Sequence, residues 1–243
     1  MLYRKYITPT TSILLIVLLA IAFSTMRAFG ALGPSNLRWL LPLGFCLMTL
    51  LPWILLTANG RKQIGLIKAD KNSSYLLAIA CGASASAACF LLGYVFYRHN
   101  VENWYVNIGN SYKAIMDTSA MSFVMLNLIF TIPAILFSPI GEEIFFRGVL
   151  QKTMEQKLSV LSSTIIECGF FAVVHLCHHG ILKTAGGLVF MPIPATLWVI
   201  QMFFVAFMFS WLRAKSGSIF VAIVAHSVFN LTMNLLIFMF LWK

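Results

Sequence analysis

The chain has 243 residues, of which 60% are hydrophobic and only 10% charged, and its mean hydropathy is +0.89. A soluble domain is about half apolar and about a quarter charged, and a chain this short has no interior able to hide so much apolar surface. That excludes an ordinary soluble domain and makes lipid the solvent for most of the chain. The formal charge is +10, from 17 Lys and Arg against 7 Asp and Glu. Most of the bases stand at the ends of apolar runs, which points to headgroups and topology rather than to nucleic acid.

In lipid every backbone polar group needs an internal partner, so spans are helices or a closed barrel. The runs here are long and do not alternate, so the expected fold class is all-α: a polytopic transmembrane helix bundle of about seven spans. They fall at roughly 10–31, 38–58, 74–97, 121–152, 159–179, 194–213 and 217–242. Arg4 and Lys5 precede the first run as they would in a signal peptide, but the run is long and further spans follow, so it reads as an uncleaved anchor. The fourth run is long enough to overshoot the bilayer or to bend near Pro133 or Pro139. Between the third and fourth, Trp104, Tyr105 and Tyr112 suggest a short helix over 104–117 on the outer surface. Cys46, Cys81, Cys89, Cys168 and Cys177 lie in apolar segments and read as small hydrophobes, not a disulfide set. The organisation read from this is one structural unit, with 1–120 as N-terminal helices and loops and 121–243 as a transmembrane core.

With the N-terminus cytoplasmic, the inner side holds Arg4, Lys5, Arg61, Lys62, Lys68, Lys71, Lys152, Lys157, Arg213 and Lys215. The outer side then holds Arg27, Arg38, Arg98, Lys113, Lys183 and Lys243. That bias predicts N-in, C-out, and a bacterial inner membrane is the expected location.

Ionisable groups inside a membrane are costly, so each is a candidate site. Three acids have apolar surroundings: Glu142, Glu143 and Glu167. Glu143 and Arg147 are i,i+4 on a helix and can pair. Glu142 points about 100° away and has no local partner in this reading; a carboxylate in low dielectric suits proton transfer near neutral pH. The bland alternative is a charge cluster at a helix end. Phe171 and His175 share a face on the next span, where a lone His is more often a structural hydrogen-bonder than a catalyst. His178 and His179 read as the start of an interfacial loop, although His175 and His179 have a spacing that can bind metal. On the last span His226 and Asn230 share a face. Both can donate hydrogen bonds while neutral, as an oxyanion requires; the alternative is polar glue between helices.

Glu142-Glu143…Arg147, then Phe171…His175, then His226…Asn230, in this order on separate apolar helices, resemble the CPBP family. These are the type II CAAX prenyl endopeptidases and their bacterial relatives in bacteriocin processing and self-immunity. The pattern E-E-x-x-x-R, F-x-x-x-H, H-x-x-x-N is complete and covers roughly residues 120–235. The resemblance implies an intramembrane endopeptidase in which Glu142 and His175 activate a water while His226 and Asn230 hold the oxyanion. Glu143, Arg147 and Phe171 would be supporting residues. No cofactor is expected, because Asn is a poor zinc ligand; a zinc site of Glu142, His175 and His226 is the alternative. The expected partners are the bilayer and a membrane-associated or secreted protein or peptide substrate, with no nucleic acid. A proton-coupled transporter and a catalytically idle immunity protein are the competing classes, and neither explains the complete polar set as well.

Overall fold

The computed structural model describes Tyr3, residues 7–184 and residues 186–242. The basic residues Arg4, Lys5 and Lys243 of the topology argument lie outside the described residues. In chain order the helices are α1 (Pro9–Leu32), α2 (Leu40–Leu55), α3 (Ala58–Gln63), α4 (Ser73–Tyr97), α5 (Trp104–Lys113), α6 (Phe123–Met154), α7 (Val160–Val174), α8 (Pro192–Ser216) and α9 (Ile219–Leu236). An antiparallel hairpin of β1 (Ile181–Thr184) and β2 (Gly187–Phe190) links α7 to α8. Among the described residues, seven segments are long and apolar enough to cross a membrane: Pro9–Leu32, Ser35–Leu55, Ser73–Tyr97, Phe123–Met154, Val160–Cys177, Pro192–Ser216 and Ile219–Leu241. The chain is therefore an all-α, polytopic bundle, as its composition predicts.

Local chemistry explains the helix limits. Thr8, Ser159 and Ser218 cap α1, α7 and α9 through their side-chain oxygens, which accept from Thr11, Ser162 and Phe220 amides. Pro9 then stands at the first helical position, where its missing N–H costs nothing. Gly217, at φ +68°, stops α8 in a left-handed conformation suited to a residue without Cβ.

α6 is the irregular span. Its hydrogen bonding widens to the π pattern over Asn127–Thr131 and again over Ile144–Leu150. Such widened turns are frequent at functional sites. Pro139 has no N–H to give the carbonyl of Ile135, and Ser227 on α9 donates to that carbonyl at 2.8 Å instead. Asn230, one turn on, donates to the carbonyl of Ala134 at 2.9 Å. The broken ladder of α6 thus docks α9 in one register. α9 also lies tight on α4, where a Cβ on Gly82 would come 2.2 Å from the Ala225 carbonyl. α2 approaches α6 as closely, since a Cβ on Gly141 would come 2.6 Å from the Phe45 carbonyl.

Two apolar cores result. One joins α4 and α5 to α8 and α9 around Trp104, Tyr105, Trp198, Phe209 and Phe229. The other joins α1 and α2 to α6 and α7 around Ile16, Phe23, Phe145, Phe146 and Phe171. Neither is confined to one side of residue 120. The helix at Trp104–Lys113 exists, but Trp104 and Tyr105 are fully buried, so it packs into the bundle instead of lying on its surface. The indole N–H of Trp104 donates to the Cys89 carbonyl, and the hydroxyl of Tyr105 to that of Ser86, which satisfies their polar ends away from water.

Hydrogen bonds sort the loops into two ends of the bundle. At one, Tyr3 meets Thr153, Gln156 meets Ser12, and Ile219 and Ser218 bond to the carbonyls of Gly65 and Ile67. At the other, Lys183 donates to the Gly33 carbonyl, Arg38 to that of Ala114, and Asn107 to that of His178.

Candidate active site

Residues 141–150 of α6 are buried without interruption, and both glutamates of the pair are wholly inaccessible. Each has its own circle of partners.

Glu142 faces α1 and α7. Its Oε1 accepts from Arg27 Nη1 at 2.5 Å and from Ser138 Oγ, one turn back on α6, at 2.8 Å. Its Oε2 has no protein hydrogen-bond partner and lies 3.9 Å from His175 Nε2. The Nδ1 of His175 is 2.6 Å from the Phe171 carbonyl. A carbonyl only accepts, so Nδ1 carries the hydrogen and the neutral ring offers its lone pair at Nε2. The Phe171 ring packs on His175 with centroids 4.2 Å apart, and Trp198 donates to the His175 carbonyl at 3.0 Å, so the imidazole is fixed from three directions.

Two expectations are corrected here. Glu142 does have local and distant partners, in Ser138 and Arg27. Arg27 is no outer-loop charge: it lies within α1, buried, and its guanidinium turns inward. Besides Glu142 it donates to His178 Nε2, from Nε at 2.9 Å and Nη2 at 2.6 Å, and Nη2 is 3.4 Å from His175 Nε2. His178 therefore belongs to the site, not to a solvated loop. Burial, and then the neighbouring Arg27 cation, hold its imidazole well below the ordinary range, so it stays neutral and accepts. His179 is also buried, edge-on to Trp104 and Trp198.

Glu143 faces α7, α8 and α9. Its Oε1 is 2.8 Å from His226 Nδ1, and its Oε2 is 3.3 Å from Arg147 Nε. The expected Glu143–Arg147 pair thus forms, and it is larger than expected. Arg147 is also 3.3 Å from Glu167 Oε1 and lies over the Phe171 ring at 4.0 Å. Glu167 Oε2 in turn accepts from Ser210 at 3.0 Å. His226 stacks on Phe209 at 5.0 Å and meets the edge of Phe171 at 5.9 Å. Phe171 therefore touches both histidines and stands between the two glutamate circles. Asn230 is on the same face of α9 as His226, with one amide hydrogen committed to Ala134 and the other free to donate.

The sequence reading counted Arg27 among the outer charges, gave His178 to an interfacial loop and did not single out Ser138. The signal for Arg27 was present: a charge inside an apolar run is a candidate by the same rule that picked out the acids. Among the described residues no group of three or more His, Cys, Asp or Glu side chains is placed to hold a metal ion.

Residues 124–232 match the family model described as type II CAAX prenyl endopeptidase Rce1-like. No curated protein and no solved structure matched the chain. The matched segment holds all of Glu142, Glu143, Arg147, Phe171, His175, His226 and Asn230, and it begins and ends within α6 and α9. Among its described residues this integral membrane protein has seven candidate spans, and over residues 124–232 it is similar to the Rce1-like family of CAAX-type proteases.

Proposed function

We propose that this protein is an intramembrane endopeptidase of the glutamate type, cleaving a membrane-associated or secreted protein or peptide with water activated by Glu142 and His175. The observation that carries this reading is the facing pair of Glu142 Oε2, buried and without a protein hydrogen bond, and His175 Nε2, which the Nδ1 bond to Phe171 leaves as an acceptor and which Arg27 Nη2 approaches only at 3.4 Å. At 3.9 Å the two acceptors are too far apart to bond each other and close enough for one water to reach both.

The reaction then follows from the atoms. Water attacks the scissile carbonyl as Glu142 Oε2 takes its proton. The carbonyl oxygen becomes an alkoxide, which His226 and Asn230 stabilise. Asn230 uses its second amide hydrogen. His226 is more constrained: with Nδ1–H on Glu143, a neutral ring has only a lone pair at Nε2, so donation from Nε2 requires the doubly protonated ring. This replaces the simpler expectation that His226 donates while neutral. Collapse of the tetrahedral intermediate breaks the C–N bond, and the proton held by Glu142 passes to the leaving amine.

No metal enters this scheme. The family description makes a prenylated C-terminal Cys-a-a-X peptide the first substrate to try. The end of the bundle that holds Tyr3 also gathers Arg61, Lys62, Lys68, Lys71, Lys152, Lys157, Arg213 and Lys215. Arg38, Arg98, Lys113 and Lys183 lie toward the other end. This favours the reading with a cytoplasmic N-terminus. The test is reconstitution in liposomes with quenched fluorescent peptides: a prenylated Cys-a-a-X peptide, its unprenylated twin and a leader-type peptide. Cleavage of any of them that disappears with Glu142→Gln supports the reading; cleavage that survives this substitution overturns it.

A further inference from the structure

A charged residue in a transmembrane helix is costly to insert, and long cationic side chains near helix ends usually turn outward to the headgroups. Arg27 is five residues from the end of α1 at Leu32, about 8 Å along the axis, so its side chain could reach that surface. It is instead buried, with the guanidinium directed at Glu142, His175 and His178. It lies outside the segment 124–232 that matches the family model.

We propose that Arg27 is a positioning residue of the catalytic site, an addition from α1 that clamps Glu142 by Oε1 and so presents Oε2 to His175. This rests on the peptidase reading above. Two features separate it from a merely structural ion pair. First, Arg27 and Ser138 both engage Oε1 and neither engages Oε2, so the carboxylate is held in one rotation with one oxygen free. Second, the far side of the guanidinium is anchored by His178 Nε2 through two nitrogens, and His178 is itself tied to α5 by Asn107 at its carbonyl. The clamp therefore has a fixed outer post and a free working face. The planar fork matters, because it bonds Glu142 and His178 at once, which an ammonium does with poorer geometry.

The experiment uses the full-length protein in liposomes with the peptide that wild type cleaves in a Glu142-dependent manner. Arg27→Ala should lower kcat by about 10²-fold, the cost of misplacing a reacting group by about 1 Å, with KM within about threefold. Methylguanidinium added to Arg27→Ala should restore a substantial part of kcat, and it should do nothing for Glu142→Gln. Arg27→Lys should fall between the two and serves as the folded variant if Arg27→Ala does not accumulate. Unchanged kcat in either variant overturns the proposal, as does a folded but inactive Arg27→Ala that methylguanidinium cannot rescue. A rise in KM with kcat intact would make Arg27 a substrate-binding group and also overturns it. A separate arm needs no turnover: ¹⁵N signals of labelled histidines should show His178 as the Nδ1–H tautomer and should shift for both His178 and His175 in Arg27→Lys. If wild type cleaves nothing in a Glu142-dependent way, the peptidase reading fails. The histidine signals then still decide whether Arg27 organises this cluster, and an unmoved pair means that it does not.

Discussion

Glu142 and Glu143 are neighbours in the chain and equally inaccessible, yet they are built into opposite kinds of surroundings. Glu143 sits in a charge-paired network: His226 takes one oxygen, the Arg147 cation lies 3.3 Å from the other as an ion pair without a hydrogen bond, and Arg147 is shared with Glu167, which Ser210 caps. Glu142 sits in an open one, with Oε1 held from two sides and Oε2 free opposite a histidine lone pair. A rotation of about 100° per residue along α6 sends one carboxylate toward α1 and α7 and the next toward α8 and α9. The difference teaches that burial and charge alone do not mark a reactive carboxylate. What marks it is an oxygen with neither a hydrogen bond nor a paired cation, beside a second group fixed in the complementary state.

The sharpest break of this comparison is paired substitution of the two glutamates. Glu142→Gln should cost about 10⁴-fold or more in kcat, because the main base is gone. The amide oxygen can still accept from Arg27 and Ser138, so the yield of folded protein should hold. Glu143→Gln should reduce yield and activity together. Equal loss of folded protein in the two variants would erase the distinction.

Arg147→Ala tests the charge-paired network by itself. It leaves Glu143 and Glu167 as buried carboxylates without a cation, and breaking such a pair typically costs about 3–5 kcal/mol. The expected result is a strong fall in thermal stability in detergent, accompanied by lost activity. Stability unchanged from wild type would show the network to be dispensable.

Asn230→Ala separates support from chemistry on α9. Loss of one oxyanion donor should cost about 10²–10³ in kcat, whereas the lost bond to Ala134 is worth only about 1 kcal/mol of stability. Turnover should remain measurable. A collapse in stability without the rate effect would make Asn230 helix glue.

A smaller effect concerns His179, outside the spans and beside the open network. Burial pushes its imidazole down to about 4. Between there and the ordinary 6.5 the unfolded chain holds a proton that the folded one refuses, so stability is complete above about 6.5 and falls as pH drops toward 4. The loss should be on the order of 2–3 kcal/mol, read from unfolding in detergent at several pH values. His179→Phe should flatten that part of the slope, and an unaltered slope would assign the acid sensitivity elsewhere. The smallest expected effect is that of a strong chelator, which should leave activity unchanged. Zinc at one equivalent, with activity that follows its removal and return, would instead bring back the Glu142–His175–His226 metal reading.

The amino-acid sequence alone determined the solvent of this protein and its helical class, because long apolar runs leave the backbone no partner but itself in lipid. It also determined which helices carry polar groups: E-E-x-x-x-R, F-x-x-x-H and H-x-x-x-N are local spacings, legible because i,i+4 places residues on one face. Which partner each group takes was decided only by tertiary structure. Glu143 was expected to pair with Arg147, and it does, but His226 lies 83 positions away and Glu167 reaches Arg147 from another helix. Arg27 sits 115 positions from Glu142, and in the linear text it looked like one more positive charge at the end of a span. Only the packing of α1 against α6 and α7 shows that its side chain turns inward. The same holds for the tautomers. The direction of the His175 lone pair depends on a bond to Phe171, and the proton requirement of His226 depends on a carboxylate from another helix. Such contacts follow from helix crossing and register, set here by the docking of Ser227 and Asn230 onto the carbonyls freed around Pro139, and no local spacing encodes them.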